Sequence, residues 1–412
     1  MLVVGKQLPR LVGHRTLVPI SQKNADQPAR RSEIAAWVLY DWANSGYAVL
    51  IITVFVAYLQ NDVFPAAVWG STGPIVWAWS IALSMLIASI LSPFLGAIAD
   101  GHACKWLWLA GTAYSGSVCC LLLGIMPTDY PWLIVFIFFL ANLSFELSLT
   151  FYNGFLPELA EEDRLNQISS WGYGLGYVGG GIALLISVLI ISYGQYLGLT
   201  DRICQLKFSI VFMGLWWGIF TLPAVLLLRD KHVAESGPRS TLDWAQYSWR
   251  DVVSTIRSIR KYKMLALFLL AFLCYNDGVQ TVLSQSSTFA LQELSFTESE
   301  LVKVILMIQF AALPGAIAVG WASDQWGQKR VLMWCLAVWI ILLTLAYFIE
   351  SKHEFWILGG AVAMVMGGTQ SVSRAVMGVM TPQKQSAKFF GFYNFSGKAT
   401  GFFGSFMFGL IL

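Results

Sequence analysis

Long apolar runs separated by short polar breaks set the pattern of this chain. Eleven runs, near 35–60, 75–99, 106–126, 131–154, 169–193, 207–228, 263–290, 301–322, 330–349, 355–380 and 388–412, reach the roughly 20 residues that span a bilayer. Pro74 opens the second run, Asp100 and Pro127 end the second and third, and Pro157 stops the fourth. A helix satisfies its own backbone inside lipid, so the pattern predicts an all-α membrane protein with eleven transmembrane helices. Residues 1–32 read as a flexible cytoplasmic tail, 33–228 as a six-helix bundle, 229–262 as a cytoplasmic linker and 263–412 as a second bundle of five helices. The tail has no long apolar core, so it is not a cleaved signal peptide. Within the linker, 243–262 reads either as an amphipathic helix on the inner surface or as a solvated connecting helix.

Charge fixes an orientation. With the N-terminus inside, 20 of the 26 Lys and Arg residues fall on the inner side; Arg202, Lys207, Lys303 and Lys352 fall outside, and Arg374 and Lys398 lie within spans. That asymmetry predicts a multi-pass inner (plasma) membrane protein with a cytoplasmic N-terminus. The chain is 57% hydrophobic and 12% charged, about half the charged share of a soluble domain. No basic array interleaved with aromatic residues points to nucleic acid. The six cysteines make no C-x-x-C pair and the four histidines no ligand spacing, so no metal is expected. No catalytic serine–histidine–aspartate set or phosphate-binding loop is present, so the expectation is no enzyme, no cofactor and no obligate protein partner. The expected partners are bilayer lipid and a small solute, with or without protons.

The two halves are related. Asn44-Ser45-Gly46 in the first span matches Asn276-Asp277-Gly278 in the seventh, 232 positions on. The loop Gly96-Ala97-Ile98-Ala99-Asp100 after the second span matches Gly320-Trp321-Ala322-Ser323-Asp324 after the eighth, 224 positions on. Near-equal offsets indicate a duplicated unit. Two parallel repeats about a central linker fit the major facilitator architecture, two pseudo-symmetric helical bundles with a site near the midplane between them. The later loop, with Gly320, Asp324, Gly327, Lys329 and Arg330, resembles that superfamily's signature loop. Glycine lets helices approach, while Asp and the bases bracket a tight turn that can latch one conformation, a gating role. In the earlier copy Gly96 and Asp100 remain, but Gly101 replaces the usual basic residue and Ala103 the second glycine. Gly174-Leu175-Gly176-Tyr177-Val178-Gly179 satisfies a G-x-G-x-x-G string, yet without β-α-β context it implies no dinucleotide site. Gly172, Gly176 and Gly180 share one helix face and read as close packing or as a flexible rocking helix.

Ionisable residues inside spans are costly in lipid and mark either a pathway or a buried pair. The set here is Asp41, Glu146, Asp277, Arg374 and Lys398, three acids and two bases able to neutralise one another. Asp41 lies about two turns from the inner end of its span, which suits a gate or cavity floor. Glu146 and Asp277 are nearer mid-span, and the amides Asn44, Asn276 and Gln280 accompany the acids. These residues and Arg374 would line a cavity between spans one, four, seven and ten. Protonation that breaks an acid–base pair would then permit rocking. The alternative is a set of buried pairs that only fixes helix positions.

Tyr40-Asp41-Trp42-Ala43-Asn44-Ser45 resembles the first-span signature of the vacuole-effluxer-like family, named for the autophagy-related yeast vacuolar amino-acid effluxer. Phe151-Tyr152-Asn153-Gly154-Phe155-Leu156-Pro157, Tyr275-Asn276-Asp277-Gly278-Val279-Gln280-Thr281, Ser373-Arg374 and Phe389-Phe390-Gly391-Phe392-Tyr393-Asn394-Phe395-Ser396-Gly397-Lys398 are similar to further family patterns. The resemblance runs from about Glu33 to the C-terminus and implies a major facilitator transporter, of bacterial type by its short loops, that moves a small polar solute by alternating access. Amino-acid efflux is the implied activity. The family pattern has twelve spans and the eleventh is the last here, so a truncated or degenerate protein, receptor-like or without transport, is the competing expectation.

Overall fold

The computed structural model describes residues 29–232, 241–257 and 259–411. Residues 1–28 of the expected tail and 233–240 of the expected linker lie outside the described residues. Eleven long helices cover the apolar runs: α1 Arg31–Val63, α2 Thr72–His102, α3 Lys105–Ile125, α4 Pro131–Gly154, α5 Leu165–Tyr193, α6 Arg202–Leu227, α7 Lys263–Gln292, α8 Glu298–Trp326, α9 Gln328–Ala346, α10 Lys352–Met380 and α11 Ser386–Ile411. Among the described residues ten, α1 to α10, contain a stretch long and apolar enough to cross a membrane, and no strand occurs. Their outward faces carry large apolar side chains such as Ile90, Phe136, Ile219 and Ile340, the reverse of a water-soluble bundle and what lipid contact demands.

Local chemistry sets the helix ends. Asp201 Oδ1 accepts the Cys204 N–H at 2.7 Å to start α6, and Pro131 fills the first turn of α4, where a missing N–H costs nothing. Thr297 and Glu300 make a reciprocal capping box at the start of α8, and Ser351 with Glu354 does the same for α10. The stretches Gly96–Asp100 and Gly320–Asp324 are not loops, as the sequence suggests, but the last turns of α2 and α8. Both helices continue through these polar residues, since Asp100 and Asp324 find hydrogen-bond partners on the other half. Each hinge is left to a short turn: Ala103–Cys104 in the first half and Gly327 in the second.

Short connectors return the chain to the face it left. The start of α1, the α2–α3, α4–α5, α8–α9 and α10–α11 turns, and the linker therefore share one face, here called the basic face. The first half holds α1–α6 and the second α7–α11. Each packs internally, with α1 on α5 and α6, α3 on α4 and α6, α8 on α10, and α7 on α11. The halves meet where α2 packs on α11 and α5 on α8 and α10. At Gly391 of α11 a β-carbon would lie 2.6 Å from Pro93 Cα of α2, so the close approach of these helices requires glycine there. A linker helix, Thr241–Arg257, lies across the basic face. It buries Ser248 and Val252, stacks Trp249 on Phe94 of α2 at 4.8 Å, and offers Asp251 to Lys388 of α11 at 2.9 Å.

Ala103 and Gly327 follow the paired aspartates Asp100 and Asp324 by three positions and both have positive φ, 50° and 86°. A β-carbon there costs about 1–2 kcal/mol. Ala103→Gly should therefore stabilise the chain by about 0.5–1 kcal/mol after the entropy of the added glycine is deducted. Gly327→Ala should destabilise it. Thermal unfolding of the purified variants checks both signs; equal shifts would mean that the two turns are not strained in the way described.

Candidate functional site

Arg374 of α10 is the largest charged group buried between the halves, 1% exposed. Its Nη1 donates to Asp41 Oδ2 of α1 at 2.8 Å. Nε donates to Ser169 Oγ at 3.0 Å and Nη2 to the Ser169 carbonyl at 2.8 Å, both on α5. Longer contacts from Nη1 reach Asn153 Oδ1 and Tyr152 Oη of α4, at 3.4 and 3.5 Å. The guanidinium plane lies over the Tyr173 ring at 3.9 Å and near Trp37 at 4.7 Å. A side chain on Gly172 would strike Arg374 Nη2 and Trp37 at 2.6 and 2.8 Å, so the pocket exists because residue 172 has none. A second-half arginine thus plugs a socket built by three first-half helices, and each of its three nitrogens donates to one of them.

The second ion pair sits deeper. Lys398 Nζ of α11 meets Glu146 Oε1 of α4 at 3.0 Å. Lys398 lies about 18 Å along α11 from its start at 1.5 Å per residue. Glu146 is 4% exposed and Lys398 24%, so the base borders open space while the acid is covered. Glu146 Oε2 is buried and has no hydrogen-bond partner among the described residues. Beneath the pair, Asn394 Nδ2 of α11 reaches Ser92 Oγ, the Glu146 carbonyl and Thr150 Oγ1 at 3.1, 3.1 and 3.2 Å, a polar seam that joins α2, α4 and α11.

The remaining expected residues scatter around this seam. Asn276 of α7 donates to the Gly397 carbonyl at 2.9 Å, which ties α7 to the turn before Lys398. Asp277 and Gln280 are half-buried, and among the described residues Asp277 has no ion-pair partner. Asn44 is 4% exposed and its Nδ2 lacks a partner among the described residues, as does Oε1 of the buried Gln309 on α8.

At the basic face the repeated aspartates behave differently. Asp100 accepts the N–H groups of Ala387 and Lys388 at 3.1 and 2.8 Å, a cap from the first half on the second-half helix α11. Asp324 accepts from Asn166 Nδ2 at 2.9 Å, and Gln328 donates to Asn166 Oδ1 at 2.8 Å. Gly96 and Gly320 lie in tight contact with Ala387 and Ser170 across the halves, whereas Lys329 and Arg330 are exposed and form no ion pair among the described residues. The second copy therefore joins the halves through an amide rather than through its bases. Sequence reasoning missed the buried Lys105, which pairs with Glu158, lies 3.8 Å from Asp230 and donates to Ser386 Oγ at 2.9 Å. Burial pushes the Asp230 carboxyl up while Lys105 opposes it. Burial also pulls the nearby His232 below its ordinary range, against the pull of Glu158. Ser169, Tyr152 and Tyr173 were missed too; only Phe151–Pro157, marked by the family pattern, signalled one of them.

The arrangement is a contact between two helical bundles, fastened at the basic face by hydrogen bonds and the Asp41–Arg374 pair, with the Glu146–Lys398 pair deeper between the halves. Among the described residues no group of three His, Cys, Asp or Glu side chains can hold a metal. A family model described as vacuole effluxer Atg22 like matches residues 75–412. An uncharacterized MFS-type transporter of Bacillus subtilis, YxiO, is 31% identical over 374 residues, 90% of this chain and 86% of the relative. Autophagy-related protein 22-1 of Penicillium rubens is 27% identical over 60% of this chain, which spans only 44% of that relative's length. The fold matches the proton:xylose symporter XylE, with TM-score 0.69 and 12% identity over 92% of this chain and 88% of that one. It matches the human organic anion transporter MFSD10 equally well, with TM-score 0.69 and 11% identity over 92% and 93%. The chain belongs to the vacuole effluxer Atg22-like family of membrane transporters and has the major facilitator fold.

Proposed function

We propose that this protein is a secondary active transporter that exports an amino acid across the plasma membrane by alternating access, with the basic face cytoplasmic. The Lys398–Glu146 pair carries the reading. It joins the two halves deep in the bundle, one member is partly exposed, and the other keeps a carboxylate oxygen without a partner among the described residues. A zwitterion exchanges that single pair for two: its ammonium goes to Glu146 and its carboxylate to Lys398. No charge is stranded, so insertion avoids the penalty for a lone ion in low dielectric. Arg374 has a different part, because its donors are already taken by Asp41 and Ser169. It holds the cytoplasmic side shut, with the Asp100 cap on α11 as a second fastening. Opening withdraws Arg374 from its socket, and solute at the deeper pair offsets part of that cost. Asp277, half-buried beside the pair's helix and free of counter-charge among the described residues, is the proton-coupling group. The Lys and Arg asymmetry supports the orientation, and the relatives' descriptions support transport and efflux.

Arg374→Ala strands a buried Asp41 and should cost about 3–5 kcal/mol, read as a large fall in the thermal unfolding midpoint of purified protein. Arg374→Gln combined with Asp41→Asn should recover most of it; an unchanged midpoint in Arg374→Ala would remove the latch. In proteoliposomes loaded with unlabelled amino acids, wild-type protein should drive counterflow of the labelled ones. Glu146→Gln should lower that flux roughly tenfold or more, the worth of one charged hydrogen bond. Asp277→Asn should keep the exchange and lose its response to a pH gradient. Counterflow that ignores the Glu146 change would exclude this pair as the solute site.

A further inference from the structure

We propose that the groove between α1 and α5 at the basic face binds one anionic phospholipid. The two helices start at the same face and run parallel, and each presents a stripe along one side of the groove. On α1 it reads Arg31, Ala35, Leu39 and Trp42; on α5 it reads Arg164, Ile168, Trp171 and Leu175. Both stripes run from an arginine at the helix start to an apolar residue eleven positions on, and apart from Gln167 the lining between is apolar. Eleven residues rise about 16 Å, roughly the depth of one leaflet of a 30 Å hydrocarbon core. The groove holds about 430 Å³, room for acyl chain beneath a headgroup.

The mouth has the charge that an acidic headgroup requires. Arg31 and Arg164 are exposed, and neither forms an ion pair among the described residues. The positive ends of both helix dipoles point the same way. Of the three acids that precede Arg164, Glu161 and Glu162 line a separate hollow beside Pro157 and Gly378, and the exposed Asp163 makes no ion pair with Arg164 among the described residues. A free anion would use only the mouth; the matched apolar stripes call for a phosphate that carries acyl chains, as basic pockets between membrane helices do. Other faces of the same helices carry Asp41 and Ser169, which hold Arg374. The lipid therefore braces the helix pair that forms the socket.

The test is lipid binding to the purified full-length protein, which needs no transport and so is independent of the solute reading. Native mass spectrometry during titration with phosphatidylglycerol should show one saturable site that phosphatidylcholine fills far less well. Arg31→Gln with Arg164→Gln should weaken phosphatidylglycerol roughly twenty-fivefold, about fivefold per arginine. Leu39→Trp, which fills the groove and keeps both arginines, should weaken it as well, and it decides the matter should the double variant fail to fold. Glycerol phosphate should not displace the lipid. Equal retention of the two lipids, full affinity in the folded double variant or in Leu39→Trp, or displacement by glycerol phosphate would overturn the proposal.

Discussion

A charge inside a bilayer has to be answered by protein, because lipid offers neither counter-charge nor hydrogen bond. Arg374 shows how far that requirement organises this fold. Its guanidinium carries five N–H donors, and Asp41, Ser169, Tyr152 and Asn153 supply the acceptors from three helices of the other half. Neither half could bury its share alone, so closing the basic face and neutralising these charges are one event. Breaking the contact exposes two ions together, and the closed state is well defined for that reason rather than because the pair adds much net stability.

The two ion pairs differ in depth and access. Asp41–Arg374 is sealed, with side chains 7% and 1% exposed, while Lys398 at the deeper pair is open by about a quarter. A sealed pair suits a fastening, and an accessible one suits exchange with a charged solute. Closure also draws on interactions with no formal charge on one side. Asp100 caps the bare N–H groups that start α11, and Asn166 bridges Asp324 and Gln328. The duplicated loop thus survives as a duplicated position, filled by different chemistry in each half.

How much of this was legible follows from what a charge or a run of apolar residues costs. The helices were legible, since each apolar run had to satisfy its own backbone, and ten of them among the described residues are long and apolar enough to cross a membrane. Asp41, Glu146, Arg374 and Lys398 stood out because nothing else explains ions in those runs, but their pairing was not visible: the partners lie 333 and 252 residues apart. The uncharged wall of the Arg374 socket left no trace, because Ser169, Tyr173 and Trp37 are unremarkable in any helix. Lys105 was hidden for a different reason. At a helix end it counts as one more inner-face base, and only the folded chain shows it 2% exposed against Glu158 and Asp230. Ala103 was the reverse case: an alanine in place of an expected glycine was visible as an anomaly, and the backbone there has positive φ.

The central claim is that the Arg374–Asp41 contact holds the basic face of a two-state transporter closed. Pulsed electron–electron resonance between spin labels at Glu162 and Lys329, exposed on the two halves at that face, measures this directly. The account predicts a short-distance population in the parent protein and a shift towards longer distances when Asp41→Asn is introduced. A single distance, the same with and without that substitution, would contradict it.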